Sequence, residues 1–193
     1  VASVGHPKVE IAAKKLQALN PEVKVDPVPL SVDFDTAKGV IEDVDIVVDG
    51  LDRFAPRYAL NRACVEHKVP YVFGAALEVY GNLSTIIPGK TACLECLFPD
   101  VHDESLPTCE TVGVLPQVPS LVASIQVQEA LNLMLGKEPR LTNKLLFCDL
   151  RSMQFEEFPF AKRADCSACG KVPVEVSMVE ISRKGACPLR CYV

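Results

Sequence analysis

Nowhere in the 193 residues does an apolar run approach the roughly 18–20 residues that a membrane-spanning helix needs, so no membrane role is expected. No secretory signal is present either, because Val1 to Asn20 is a charged amphipathic stretch. There is no basic block, aromatics make up only 6% of the chain, and the net charge is −5. That balance argues against nucleic acid as a partner. Both common phosphate-cradling glycine loops, G-x-G-x-x-G and G-x-x-x-x-G-K-[ST], are missing. So is an initiator methionine, and the expectation is a fragment or a trimmed chain.

What is present fits an ordinary soluble domain, with 49% hydrophobic and 23% charged residues. A chain of this size buries about 70% of the surface that it exposes when unfolded. Nine cysteines stand out. The odd count and the lack of a signal argue against a disulfide framework and for thiols in a reducing cytosol, some of them metal-bound. A cytoplasmic location is therefore expected.

Apolar residues recur at helical spacing from Gly5 to Leu19, and Pro21 follows the stop at Asn20. Val23–Leu30 reads as a strand made irregular by Pro27 and Pro29. A short helix at Asp35–Glu42 precedes the β-branched run Asp45–Asp49, of the kind buried in parallel sheets. Asp49-Gly50-Leu51-Asp52 then falls at a strand's carboxyl end, where open α/β sheets bind ligands. A helix over Ala55–His67, strands at Tyr71–Ala75 and Asn82–Ile87, and an irregular stretch at 97–117 follow. A long apolar helix at Ser120–Leu135 and strands at Lys144–Asp149 and Gln154–Phe158 complete the pattern. The early βα alternation predicts an α/β, Rossmann-like, largely parallel sheet with helices on both faces.

Two C-x-x-C pairs, Cys93/Cys96 and Cys166/Cys169, carry the clearest chemistry. A two-residue gap lets both thiolates of a pair meet one ion, and two pairs supply the four sulfurs that tetrahedral Zn2+ prefers. The long separation makes the site a clasp between distant segments. No histidine or open ligand position accompanies it, so the metal is expected to be structural. Redox dithiols and buried free cysteines are the alternatives.

Gly5–Pro21 (G-H-P-K-V-E-I-A-A-K-K-L-Q-A-L-N-P), Val48–Arg53 (V-D-G-L-D-R), Pro70–Ala76 (P-Y-V-F-G-A-A), both cysteine pairs and Pro107–Leu115 (P-T-C-E-T-V-G-V-L) occur in one order. Together they resemble the ThiF/MoeB/HesA family, relatives of ubiquitin-activating enzyme, over about residues 1–170. The resemblance implies an ATP-dependent adenylyltransferase that activates the C-terminal glycine carboxylate of a ubiquitin-fold protein. Such partners are MoaD-like or ThiS-like sulfur carriers, or modifiers, and the resemblance also implies a homodimer. It implies that Lys8 contacts the ATP phosphates and that Asp52 serves Mg2+ and nucleotide. Read without the motif, Lys8 is a solvated helix lysine and Asp52 a helix cap. Arg53 departs from the asparagine that many relatives carry there, which either alters the nucleotide contacts or supplies another phosphate cation. Arg57 and Asn61 match an R-x-x-x-N arrangement that positions the helix. Cys109 matches the active-site cysteine that in some members attacks the acyl adenylate or takes part in sulfur transfer; a loop cysteine with no covalent role is the other reading. Glu110 and His102 are candidate bases, while His6 and His67 form no metal pattern.

Residues 171–193 change character and are expected to form a C-terminal extension or the start of another module. Cys187 and Cys191 near its end are either incidental, part of a further metal knuckle, or the beginning of a C-x3-C-x2-C cluster motif that lacks its third cysteine. In the family the segment preceding the matched motifs supplies the glycine loop, the ribose-binding acid and an arginine. Little pyrophosphate exchange by the chain alone is therefore expected. The competing reading is an inert, zinc-stabilised module that docks a ubiquitin-like protein or a partner subunit. A nucleotide-cofactor oxidoreductase is a weaker third, since no dinucleotide fingerprint is present.

Overall fold

The computed structural model describes residues 3–170 and the backbone of residues 191–192. The chain divides into two compact units, residues 1–32 with 182–193 and residues 33–181.

In the first unit, helix α1 (Lys8–Leu19) starts directly after Pro7 and ends at the extended Asn20. Proline fixes its own φ and lacks an N–H, which suits a helix entry. Strand β1 (Val25–Asp26) stops at Pro27 and pairs in parallel through its backbone with residues 191–192. Cys187 and the other extension residues up to 190 lie outside the described residues.

The second unit opens with the one-turn helix α2 (Ala37–Val40), preceded by a turn in which the Asp33 carboxylate accepts from the backbone N–H groups of Asp35 and Thr36. Strand β2 (Val47–Val48), helix α3 (Phe54–His67), and strands β3 (Tyr71–Leu77) and β4 (Tyr80–Ile86) follow. The short helices α4 (Leu94–Leu97) and α5 (Cys109–Val112) flank a 3-10 turn at Asp103–Ser105. Helix α6 (Gln117–Met134) and strands β5 (Lys144–Asp149) and β6 (Gln154–Pro159) complete the unit, and β7 is Cys191–Tyr192. Helix α6 begins three residues before the position expected from sequence. Pro119 sits in its first turn, where a missing N–H costs nothing.

The sheet runs β2-β3-β4-β5-β6. The α/β expectation holds, but the strand directions differ from a largely parallel sheet. Only β2–β3 is parallel; β3–β4, β4–β5 and β5–β6 are antiparallel. The connections explain this. Leu77 faces Tyr80, so only Glu78 and Val79 join β3 to β4. Residues 150–153 join β5 to β6. Neither link is long enough for the crossover that a parallel pair requires.

Alternating side chains place helices on both faces, as expected. Val72 and Leu83 point toward α6, packing with Leu133 and with Val118 and Val122 respectively. Phe73 points the other way, to Phe98 at 5.9 Å and under the Arg57 guanidinium. Helix α6 approaches closely because β3 and β4 carry glycines beneath it: a Cβ at Gly81 would sit 2.9 Å from Val122 Cγ2. Among the described residues no helix is long and apolar enough to cross a membrane.

Candidate functional site

Cys93, Cys96, Cys166 and Cys169 converge, with all four Sγ atoms within 4.8 Å of one another and all four residues buried. The recorded separations are 3.9 Å for Cys93–Cys96, 3.6 Å for Cys93–Cys166 and 3.4 Å for Cys96–Cys169. A tetrahedron of sulfurs about 2.3 Å from a central ion has edges of about 3.8 Å, so the donor set fits a single soft metal ion. Burial, with neighbouring thiolates adding to it, pushes the Cys93 thiol well up. Burial and the Cys96 contact likewise push Cys169 to about 12. Burial acts to raise the Cys166 thiol, but the backbone N–H groups of Cys169 and Ala168 outweigh it and lower that thiol, so the set is mixed. A cation among the sulfurs would relieve the repulsion between neighbouring thiolates.

Glu95, between the first two ligands, ties this cluster to α3. Its carboxylate accepts from Asn61 Nδ2 at 3.1 Å, from Arg62 Nε and Nη2 at 3.0 and 2.8 Å, and from Ser167 Oγ at 2.8 Å. Burial acts to raise its pKa, but Arg62, Ser167 and Asn61 outweigh that and hold the carboxyl below the ordinary glutamate value. Asn61 Oδ1 also accepts from Leu94 N at 3.0 Å, so one side chain satisfies donor and acceptor across α3 and α4. Glu95, Arg62 and Ser167 were not singled out by sequence. The available signal was a glutamate and a serine inside the two C-x-x-C gaps.

At the other end of α3 lies the turn after β2. Asp52 and Arg53 are exposed there, at the carboxyl edge of the parallel pair. The turn itself is held from within. Asp49 is buried, with Oδ2 accepting from Arg57 Nε at 2.8 Å and from Tyr71 OH at 2.9 Å, and Oδ1 accepting from Leu51 N at 2.7 Å. Arg57 Nη2 also donates to the carbonyl of Gly74 at 2.9 Å and to that of Leu51. On the α6 face, Gln126 Nε2 donates to the carbonyls of Asp49 and Val72. Burial, then the adjacent Asp49 charge, pushes the Tyr71 phenol well above its ordinary range. Arg57 therefore fastens α3 to the turn after β2 and to β3, through partners that sequence reading did not name. A charged residue ending a β-branched strand and a glutamine within an apolar helix were the available signals.

Cys109 begins α5 and is half-buried, its thiol donating to the carbonyl of Ala76 at 3.4 Å. Ala76 lies four residues past Val72 on β3, beyond the point where β2 ends, so Cys109 and the Asp52 turn share the carboxyl edge of the parallel pair. The segment leading to Cys109 is fastened to α3. Asp103 accepts from Phe54 N at 2.6 Å and from Ala55 N at 3.0 Å, capping the helix across 49 and 48 residues. Tyr58 OH donates to Phe98 O at 2.7 Å and accepts from Val101 N at 3.0 Å. His102 is exposed and faces Asp100 at 3.4 Å, and Glu110 is exposed. Lys8 opens α1 in the first unit and is exposed. A cleft of about 410 Å³ between Tyr58, Arg62, Asp103 and Ser167 includes none of Asp52, Arg53 and Cys109 among its lining residues.

The sequence profile of the ThiF family matches residues 1–168. The chain is 38% identical over 187 residues to a SAMP-activating enzyme E1 of Haloferax volcanii, covering 96% of this chain and 68% of that protein. It is 33% identical over 183 residues to a sulfur carrier protein adenylyltransferase of Thermus thermophilus, covering 92% and 68%. Among solved structures, the crystal structure of E. coli MccB with ATP superposes with a TM-score of 0.73 at 20% identity. That match covers 88% of this chain and 52% of the MccB chain, a likeness of fold.

Proposed function

Because the chain belongs to the ThiF family, we propose that the protein is an ATP-dependent adenylyltransferase acting on the C-terminal glycine carboxylate of a ubiquitin-fold sulfur carrier or modifier. The observation that carries this reading is the match to named activating enzymes at 38% and 33% identity across more than nine tenths of the chain. The chain spans about two thirds of those relatives and about half of MccB.

In the proposed reaction a carboxylate oxygen of the carrier attacks the α-phosphorus of ATP. The bond from that phosphorus to the bridging oxygen of the β-phosphate breaks, and pyrophosphate leaves with both electrons. The step brings anions together, so positive charge must offset what develops. Lys8 and Arg53 are the proposed phosphate cations. Asp52 is the proposed Mg2+ and nucleotide ligand, and the metal would neutralise the phosphate oxygens. Cys109 is the proposed nucleophile toward the acyl adenylate, at the same sheet edge as Asp52. A half-buried thiol at a loop-to-helix junction suits that role, since an acyl phosphate is a good electrophile.

Zn2+ is the proposed ion of the four-cysteine cluster, with a structural role, since all four sites are filled by protein sulfur. Exposed Val127 and Leu131 on α6 offer an apolar face for the proposed homodimer, and a cytoplasmic location accords with buried, unpaired thiols. Residues 1–170 are the proposed catalytic domain, with 171–193 an extension. Mass spectrometry of the protein with ATP and Gly-Gly-ending carriers tests the reading. With the protein expressed from its whole reading frame, it should show carrier adenylate in the wild type and a Cys109 thioester, formed as the thiolate displaces AMP from the adenylate, that Cys109→Ala lacks. No adenylate with any carrier would contradict the reading.

A further inference from the structure

Gln126 lies between apolar Ile125 and Val127 on α6, yet it is only 3% exposed. Its amide nitrogen donates to the Asp49 carbonyl at 2.9 Å and to the Val72 carbonyl at 3.0 Å. These carbonyls belong to the paired segments at the end of β2 and on β3, so one amide bridges the parallel pair where β2 ends. Gly74 makes the bridge possible. A Cβ there would lie 2.4 to 2.8 Å from the Gln126 amide atoms, closer than any side chain can approach. From the opposite sheet face Arg57 and Tyr71 hold the Asp49 carboxylate, and Arg57 also takes the Leu51 carbonyl. Asp49 is thus gripped by its carbonyl from the α6 side and by its carboxylate from the α3 side, three residues before Asp52.

We propose that Gln126, seated over Gly74, is a positioning residue that sets the path of the turn 49–53 and through it the aim of Asp52. Filling the space between α6 and the sheet requires only an apolar side chain. An amide carries the desolvation cost of burial, and here its two hydrogen bonds go to backbone that leads into the exposed turn. What Asp52 grips rests on the adenylyltransferase reading; the clamp itself does not.

Two variants, made in the protein expressed from its whole reading frame, test it. Gln126→Met keeps length and removes both donors, while Gly74→Ala drives the amide from its seat and leaves Gln126 in place. In both, hydrogen exchange of a peptide spanning 49–54 is expected to rise roughly tenfold, while a peptide spanning 93–97 stays as in the wild type. Unchanged exchange at 49–54 overturns the proposal, and so does an acceleration uniform along the chain, which marks mere support of the fold. In the pyrophosphate-exchange assay, Gln126→Met is expected to raise KM for Mg·ATP and to add nothing in an Asp52→Ala background. Full additivity with Asp52→Ala overturns the positioning role. If the wild type takes up no Mg·ATP, the functional reading fails, and the amide-exchange result still decides the clamp.

Discussion

Asp49 and Arg57 are an ion pair with side chains 0% and 5% exposed, and Tyr71 completes the charge's hydrogen bonding. Removing one member leaves the other charged and dry. Arg57→Met is expected to cost about 3–5 kcal/mol in urea denaturation, and the double replacement with Asp49→Leu is expected to cost clearly less. Cys64 makes a second prediction at this scale. It is fully buried on α3, and burial, followed by the Asp49 charge, pushes its thiol from 9.0 up to about 12. Above pH 9 the unfolded chain releases this proton while the folded chain keeps it, so the unfolded state binds fewer protons and stability falls. The contribution is whole below pH 9 and is lost as pH rises toward 12. Urea midpoints measured from pH 8 to 11 should decline more steeply in the wild type than in Cys64→Ala; equal slopes would remove the argument. Little of this was legible in sequence. Asp49 and Arg57 stand eight residues apart, and Gln126 joins them from 77 residues away, so no local spacing announces the contact.

Helix α3 is the element that joins the two chemical regions. Its first amides are capped by Asp103 of the Cys109 segment, Arg57 in its first turns holds Asp49, and Asn61 and Arg62 grip Glu95 between Cys93 and Cys96. Asn61→Ala removes its bond to Glu95 and the one it accepts from Leu94 N. Changes to groups that orient metal ligands typically cost 10–100-fold in metal affinity, and about tenfold is the expectation here, measured by competition with a chromophoric chelator. An unchanged affinity would mean that Glu95 is held well enough by Arg62 and Ser167 alone. The elements themselves were largely legible. The β5 bounds match expectation, and α3 starts one residue early, because periodicity and caps are local signals. Strand direction was not. It turns on a two-residue link at Glu78-Val79, inside residues 76–81 that the sequence reading placed between strands, and Glu78 adopts positive φ without the glycine or asparagine that marks such turns.

At the scale of the molecule, the cysteine pairs were the surest signal, since four thiols 73 residues apart in matched pairs have few other reasons to meet. With the proposed Zn2+ bound, a chelator should lower Tm and loosen the junction of residues 93–97 with 163–170, because binding energy at such a site is folding energy. An unchanged Tm would make the cluster dispensable. The central claim is the activation of a carrier carboxylate, and its most direct measurement is isotope exchange between pyrophosphate and ATP. The protein, expressed from its whole reading frame, is incubated with Mg·ATP, labelled pyrophosphate and a ubiquitin-fold carrier ending in Gly-Gly. Label should enter ATP only when the carrier is present, and Asp52→Ala should reduce the rate by at least about a hundredfold, as removal of a group acting on transition-state charge does. Carrier binding with no exchange would contradict the account and leave a docking module in its place.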